Sequence, residues 1–534
     1  MRISLLIVFL LAFVILFSFC SFDGYYFYDD TTYARYAFQL AHGKLNLNEE
    51  TFSHRLGIIL PTAGAYLLFG VNDFTTLWWP FVCTLATLWI VYRLLQSKDA
   101  VVALWAVALT GLDFYTLFFS NKLYPDVGLT LMALLAAVAL YRRDYSWRQP
   151  VVFVLANFWG FLCKETVVYL LPFYLLVWLY DLRQQQYGQF WCRALGLGIP
   201  VLLLYFGFYY VWTGNALYRF QIIQDGHYVA SYNYFHQPAA ALIPRLTYEP
   251  ILMLIHSGMI ICMIPAGAVL FRKHFWQWKR WSGPLFWSRI AFTGLTMFWF
   301  FTTSFRYYNP NALFPRMILF LIPFFAIASA YELRTLTTRK TFILAAFFVI
   351  VSVVAGQTIG VKLAVQYALL AAGYATIGAG FAFRRDTVFT QSRFYIPLMI
   401  SILLIHPVYS MCKPTESGYR AEKYLIRNYL RYPAQQTLVF VDDKLLHGYD
   451  FYYQFRPPVT IRFLPFEELP LYRGHGSSSH QLYVLINPYS VAYFREIGVD
   501  IPEYIQNPPA SWELITETER IKLYEVTPHG IRNE

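Results

Sequence analysis

Apolar runs of roughly twenty residues recur along this chain from the N-terminus to about residue 411, the length a helix needs to cross a bilayer. Nothing constrains the fold more. In hydrocarbon every backbone polar group must be satisfied within the segment, so such runs must be helices. Basic loops separate them, and about thirteen spans follow: 3–21, 74–95, 99–119, 125–141, 150–163, 166–182, 194–212, 250–271, 284–303, 311–331, 341–358, 363–383 and 394–411. The expected fold is an all-α polytopic membrane body over residues 1–411, followed by a small α/β domain over 412–534.

Composition agrees. The 534 residues are 57% hydrophobic and only 14% charged. A formal net charge of +11 is compatible with nucleic-acid binding in a soluble chain, but here the cations cluster in short loops between apolar runs. That is the pattern of membrane topology, so no nucleic-acid partner is expected. The bias puts the N-terminus in the cytoplasm and the C-terminal domain outside, in a plasma (inner) membrane. The six cysteines form no CxxC pair and suggest no disulfide framework or zinc ribbon. The first span lacks a small-residue cleavage site and reads as retained.

Past residue 412 the chain turns polar. Strands are expected at 437–441, 459–463, 481–486 and 521–526, and helices at 416–431 and around 489–497. No phosphate-binding glycine loop is present there, and a scaffold or partner-binding role is expected.

The functional signal lies at the outer rim. A long first outer loop, 22–73, opens with Asp23-Gly24-Tyr25-Tyr26-Phe27-Tyr28-Asp29-Asp30-Thr31-Thr32-Tyr33, followed by an amphipathic helix to about His42. One aspartate suffices for an N-cap; two adjacent ones beside a membrane suggest a catalytic or ligand role. Further on come His54 and Arg55, ahead of an apolar stretch 56–70 read as an interfacial helix. Lys122 and Asp126 flank the fourth span, Lys164 and Glu165 form a tight turn, and Arg306 and Arg316 precede the tenth. Asp113 falls within the third span, towards its outer half. A second outer loop, 213–249, is rich in tyrosine, including Tyr218, Tyr228, Tyr232, Tyr234 and Tyr248. Arg219 and Lys362 read as cations snorkelling to the interface, and His256, alone in mid-membrane, as structural. A rim of acids and bases over an apolar body suits a lipid with a charged head group, since Lys and Arg hold phosphate.

Four local motifs on this face resemble the GT-C glycosyltransferases, specifically the bacterial family-39 branch, which is similar to protein O-mannosyltransferases and lipid A aminoarabinose transferases. They are Asp29-Asp30-Thr31-Thr32-Tyr33, Leu123-Tyr124-Pro125-Asp126, Gly160-Phe161-Leu162-Cys163-Lys164, and Pro315-Arg316-Met317-Ile318 with Pro323. The layout of spans, acidic first loop and outer C-terminal domain is similar as well. The chain departs from that family where many members carry Lys-Pro-Pro: Ser53-His54-Arg55-Leu56-Gly57 stands there, with His54 or Arg55 in the place of the lysine.

The resemblance implies an inverting transfer of a sugar from a polyprenyl phosphate to an acceptor hydroxyl on a lipid, glycan or protein. It makes Asp29 the base, with Asp30 and Asp126 orienting the site or holding a divalent metal ion, for which these spacings define no ligand set. Lys164, Arg316, His54, Arg55 and Arg306 are the candidates for the donor phosphate. A lipid-linked-saccharide flippase is the alternative. It would place its charges near the midplane, whereas here they gather at the rim. A membrane scaffold displaying the C-terminal domain leaves the acidic motif unexplained.

Overall fold

The structure is a computed structural model that describes residues 3–25, 29–47, 50–227, 234, 237–277, 281, 283–383, 388–413, 417–431, 433, 435–473 and 480–526. Several expectations lie outside these residues: Tyr26, Phe27 and Tyr28 of the acidic stretch, Tyr228 and Tyr232 of the second loop, Lys279, Arg280, Arg384 and Arg385 of inner loops, and Glu416.

The chain forms two compact units. The first comprises residues 1–20, 46–58 and 78–412 and is helical. Among the described residues seven helices are long and apolar enough to cross a membrane, and an eighth crossing results if the bent pair Glu249–His256 and Ile260–Phe271 is one span. Shorter apolar helices include Ser4–Cys20, Ala100–Gly111 and Pro125–Tyr141. The expected membrane-spanning helical body with a C-terminal α/β part is therefore present.

Pro315–Arg334 is the core of this unit. Residues 318 to 330 are buried throughout, packed against helices Ala100–Gly111, Ile260–Gly267 and Pro284–Phe300. Small Ala and Ser side chains allow that approach. Ser329 Oγ, which would otherwise be stranded among apolar atoms, donates to the Cys262 carbonyl. This buried helix opens with Arg316.

Two expected spans are broken. The run 99–119 is two helices, Ala100–Gly111 and Phe114–Phe119. Asp113 does not sit inside a span; it caps the second piece, accepting from Thr116 N at 2.9 Å. The run 250–271 bends by 118° at Gly258, whose φ of 77° is open to glycine and strained for other residues. His256 donates to or accepts from Thr358 Oγ1 at 2.9 Å, the structural role expected of it.

The second unit comprises residues 21–45, 59–77 and 413–534. The first loop, read from the sequence as part of the membrane body, is thus divided, with two pieces belonging to the C-terminal unit. The sheet there has order β2-β1-β3-β5-β4, with β1 Gln436–Val441, β2 Ile461–Pro465, β3 His480–Ile486, β4 Glu513–Thr518 and β5 Ile521–Glu525. β1 pairs in parallel with β2 and β3, while β5 is antiparallel to β3 and β4. Helix Asp29–Ala41 packs on helix Asp443–Tyr452, and Arg35 Nε meets Asp450 Oδ2 at 2.6 Å. Asp73 accepts from Tyr419 Oη at 2.6 Å and Tyr25 Oη at 3.1 Å, and also pairs with Lys423.

Candidate active site

In the helical unit, helix Arg148–Cys163 ends on a turn that the sequence dictates. Lys164 leaves the helix in extended conformation (φ −161°, ψ 142°), while its N–H still donates to the Gly160 carbonyl at 2.8 Å. A 3₁₀ helix, Glu165–Leu170, starts at once. This abrupt exit leaves no length of chain for Lys164 to snorkel. Its Nζ instead donates to Asp126 Oδ1 at 2.5 Å, and both side chains are buried. Asp126 occupies the first turn of Pro125–Tyr141, where the helix dipole favours a carboxylate. Asp126 Oδ2 is buried and has no hydrogen-bond partner among the described residues.

The Ser53–Gly57 segment docks on the same turn. A Cβ on Gly57 would stand 2.6 Å from the Cys163 backbone nitrogen, so only glycine permits the approach. The Gly57 carbonyl accepts from Trp159 Nε1 at 3.2 Å. The approach brings Arg55 close enough to act electrostatically on Lys164. Arg316, its guanidinium 4.9 Å above the Tyr124 ring, acts on Lys164 as well. Burial lowers the Lys164 ammonium to about 8; Asp126 opposes the fall, and Arg316 and Arg55 add to it. Arg55 and Arg316 thus add their positive charge to that of Lys164.

His54 lies in this region, with Nδ1 3.0 Å from Tyr209 Oη. Burial, reinforced by the Arg219 charge, lowers it to about 4. It is neutral at pH 7, so Arg55 carries the charge of that pair. Arg306 is exposed, with Asp225 at 4.0 Å.

The sequence missed Arg219. It is not a snorkelling cation: it is 1% exposed and pairs with Glu165, its Nε at 3.0 Å from Oε1. Its Nη2 donates to the Phe161 carbonyl at 2.8 Å and Nη1 to Tyr205 Oη at 3.3 Å. The available signal was Glu165 itself, a half-buried carboxylate beside Lys164 that needs a partner.

Asp29 and Asp30 belong to the other unit and open helix Asp29–Ala41. Asp30 is fully buried, while Asp29 is half-buried. Among the described residues no three His, Cys, Asp or Glu side chains gather in a metal-ligand set.

Comparison with known proteins adds two findings. A model of the dolichyl-phosphate-mannose-protein mannosyltransferase family matches residues 59–206, a stretch that includes Asp126 and Lys164. Solved structures of ArnT from Cupriavidus metallidurans are similar over 99% of both chains: the apo state at 15% identity with a TM-score of 0.52, and the state bound to undecaprenyl phosphate at 14% with 0.54. A search of curated proteins returns no match. At these identities the likeness establishes a shared fold, the GT-C-like architecture expected from the motifs.

Proposed function

We propose that this chain is an integral-membrane inverting glycosyltransferase. It takes a sugar from a polyprenyl phosphate on the outer face of the plasma membrane and passes it to a hydroxyl of a lipid, glycan or protein. One observation carries the reading: Lys164, buried against Asp126, has Arg316 and Arg55 close enough to act on it electrostatically, a gathering of cations that suits a phosphate. The similarity to ArnT, solved with undecaprenyl phosphate, and the match to the mannosyltransferase model support the same donor class.

The chemistry assigns the roles. The anomeric carbon is attacked by an acceptor hydroxyl that must lose its proton, which requires one carboxylate base. The leaving group is already a weakly basic phosphate, so no general acid is needed, unlike the carboxylate pair of a glycosidase. As the glycosidic bond breaks, charge grows on the phosphate oxygens, and Lys164 and Arg316 stabilise it. Asp29 is the base. It is half-buried at the start of helix Asp29–Ala41, where the helix dipole suits a negative charge. Buried Asp30 orients the helix start, and Asp126 holds Lys164.

The test is transfer by purified protein in nanodiscs supplied with a radiolabelled polyprenyl-phosphate sugar. Transfer is expected from this donor and not from a nucleotide sugar alone. Asp29→Asn should fold and bind donor but lose about two to four orders of magnitude in turnover; Asp30→Asn should lose less. Near-normal turnover by Asp29→Asn would remove the base from the scheme, and turnover of a free nucleotide sugar would overturn the donor.

A further inference from the structure

Arg245 is fully buried and lies in the second outer loop. Among the described residues no carboxylate is paired with it; its guanidinium is used entirely on main-chain carbonyls. Nε and Nη2 donate to the Asn311 carbonyl at 3.1 and 2.7 Å, Nη1 to Trp299 O at 3.1 Å, and Nη2 also to Phe298 O at 3.3 Å. Phe298 and Trp299 end helix Pro284–Phe300, where unsatisfied carbonyls attract a cation. Asn311 lies five residues before Arg316, on the segment leading into the buried helix, and its Nδ2 reaches Tyr169 Oη at 3.2 Å. The same outer loop stitches this segment a second time: Gln224 Nε2 donates to Thr303 O at 2.9 Å, and Phe305 N donates to Gln224 Oε1 at 3.0 Å. The loop's other buried arginine, Arg219, ties Glu165 and Phe161 on either side of Lys164.

We infer that the second outer loop is a clamp for the phosphate-binding cations, with Arg219 the positioning residue for Lys164 and Arg245 the positioning residue for Arg316. This rests on the donor reading above. Burying a guanidinium is costly, and each arginine here meets that cost with hydrogen bonds to a segment that carries one of the two cations. A cation held this way reaches the phosphate without first losing side-chain and loop freedom, which is the benefit of preorganisation. Neither arginine is assigned contact with the substrate.

A merely structural role would weaken donor binding in any background, whereas a positioning role is specific to its cation. The test is a pair of double-mutant cycles on undecaprenyl phosphate binding in nanodiscs. Arg245→Gln should weaken binding about tenfold to a hundredfold in the otherwise native chain. In an Arg316→Ala background it should cost less than about threefold, because its target is gone. Arg219→Gln should behave the same way against Lys164→Met, yet keep its full effect against Arg316→Ala. If Arg245→Gln does not fold, Gln224→Ala replaces it with the same expected coupling to Arg316. Equal losses in all backgrounds would overturn the clamp while leaving the donor reading intact. Failure of the native protein to bind undecaprenyl phosphate would overturn both.

Discussion

Helix Pro125–Tyr141 has a buried ion pair at each end, and the two are built differently. Beyond its C-terminus, Arg143 grips Asp181 with Nε at 2.7 Å from Oδ2 and Nη2 at 2.9 Å from Oδ1, and Trp191 Nε1 adds a bond to Oδ2 at 3.0 Å. Every carboxylate oxygen is satisfied and each guanidinium edge has a use; Nη1 goes to the Leu140 carbonyl. At the N-terminus, Asp126 receives Lys164 on one oxygen and leaves the other unpartnered among the described residues, and two further cations act on the same lysine. A pair that serves only the fold closes its hydrogen bonds, because an open one costs stability. What suits an anionic ligand at the Lys164 end is the cations that act on the lysine, not the open Asp126 oxygen, which is itself an acceptor. Saturation, more than burial, separates the structural pair from the candidate catalytic one.

The largest effect that tests this contrast is on stability. Arg143→Ala leaves Asp181 buried and unpaired and should cost about 3–5 kcal/mol, read as a lower melting temperature in detergent, with donor affinity unchanged in the folded fraction. A changed donor affinity at matched folding would break the contrast.

Next is Lys164→Met. It should weaken binding of undecaprenyl phosphate about 10- to 150-fold, the worth of a charge-assisted hydrogen bond, while lowering the melting temperature less than Arg143→Ala, because Asp126 loses one hydrogen bond where fully satisfied Asp181 loses two. A variant that melts early and binds normally would reverse the two roles.

A pH titration sharpens the comparison further. Lys164 is depressed to about 8, so its charge is present below that pH and lost above it. Donor affinity should fall as pH rises through about 8, by up to about tenfold per unit, and Lys164→Arg should flatten the curve. Bound phosphate favours the ammonium, so the midpoint should move upward at saturating donor. The smallest effect is expected at His54. Because the ring is neutral near pH 7, His54→Gln should change donor affinity by less than about twofold, measured in the same binding assay.

The contrast also shows what a sequence can and cannot carry. Asp126, Lys164 and Arg316 were legible because each sits at a helix boundary marked by Pro or a tight turn, and boundaries are local. The span pattern was legible for the same reason. The partners were not. Arg219 meets Glu165 across 54 positions and Asp181 meets Arg143 across 38, and nothing local distinguishes a buried arginine from a snorkelling one. Arg143 looked like one more inner-loop cation. The breaks at Asp113 and Gly258 were masked by unbroken hydropathy, although an Asp or a Ser-Gly within an apolar run is a break signal. In the C-terminal unit β4 was missed because its turn, Glu519-Arg520, takes φ values of 50° and 69° without the usual Asn or Gly. Helix Asp443–Tyr452 was missed despite Asp442, whose side chain caps it at Leu445 N. The division of the first loop between units depends on packing that no periodicity encodes.

The central claim is that the cations gathered at Lys164 receive a phosphate. Equilibrium binding of undecaprenyl phosphate and of uncharged undecaprenol to the purified protein, in nanodiscs of neutral lipid, tests it directly. The native chain should prefer the phosphate by at least about tenfold, and Lys164→Met should lose most of that preference while binding the alcohol unchanged. Equal affinity of the native chain for the two lipids would contradict the claim.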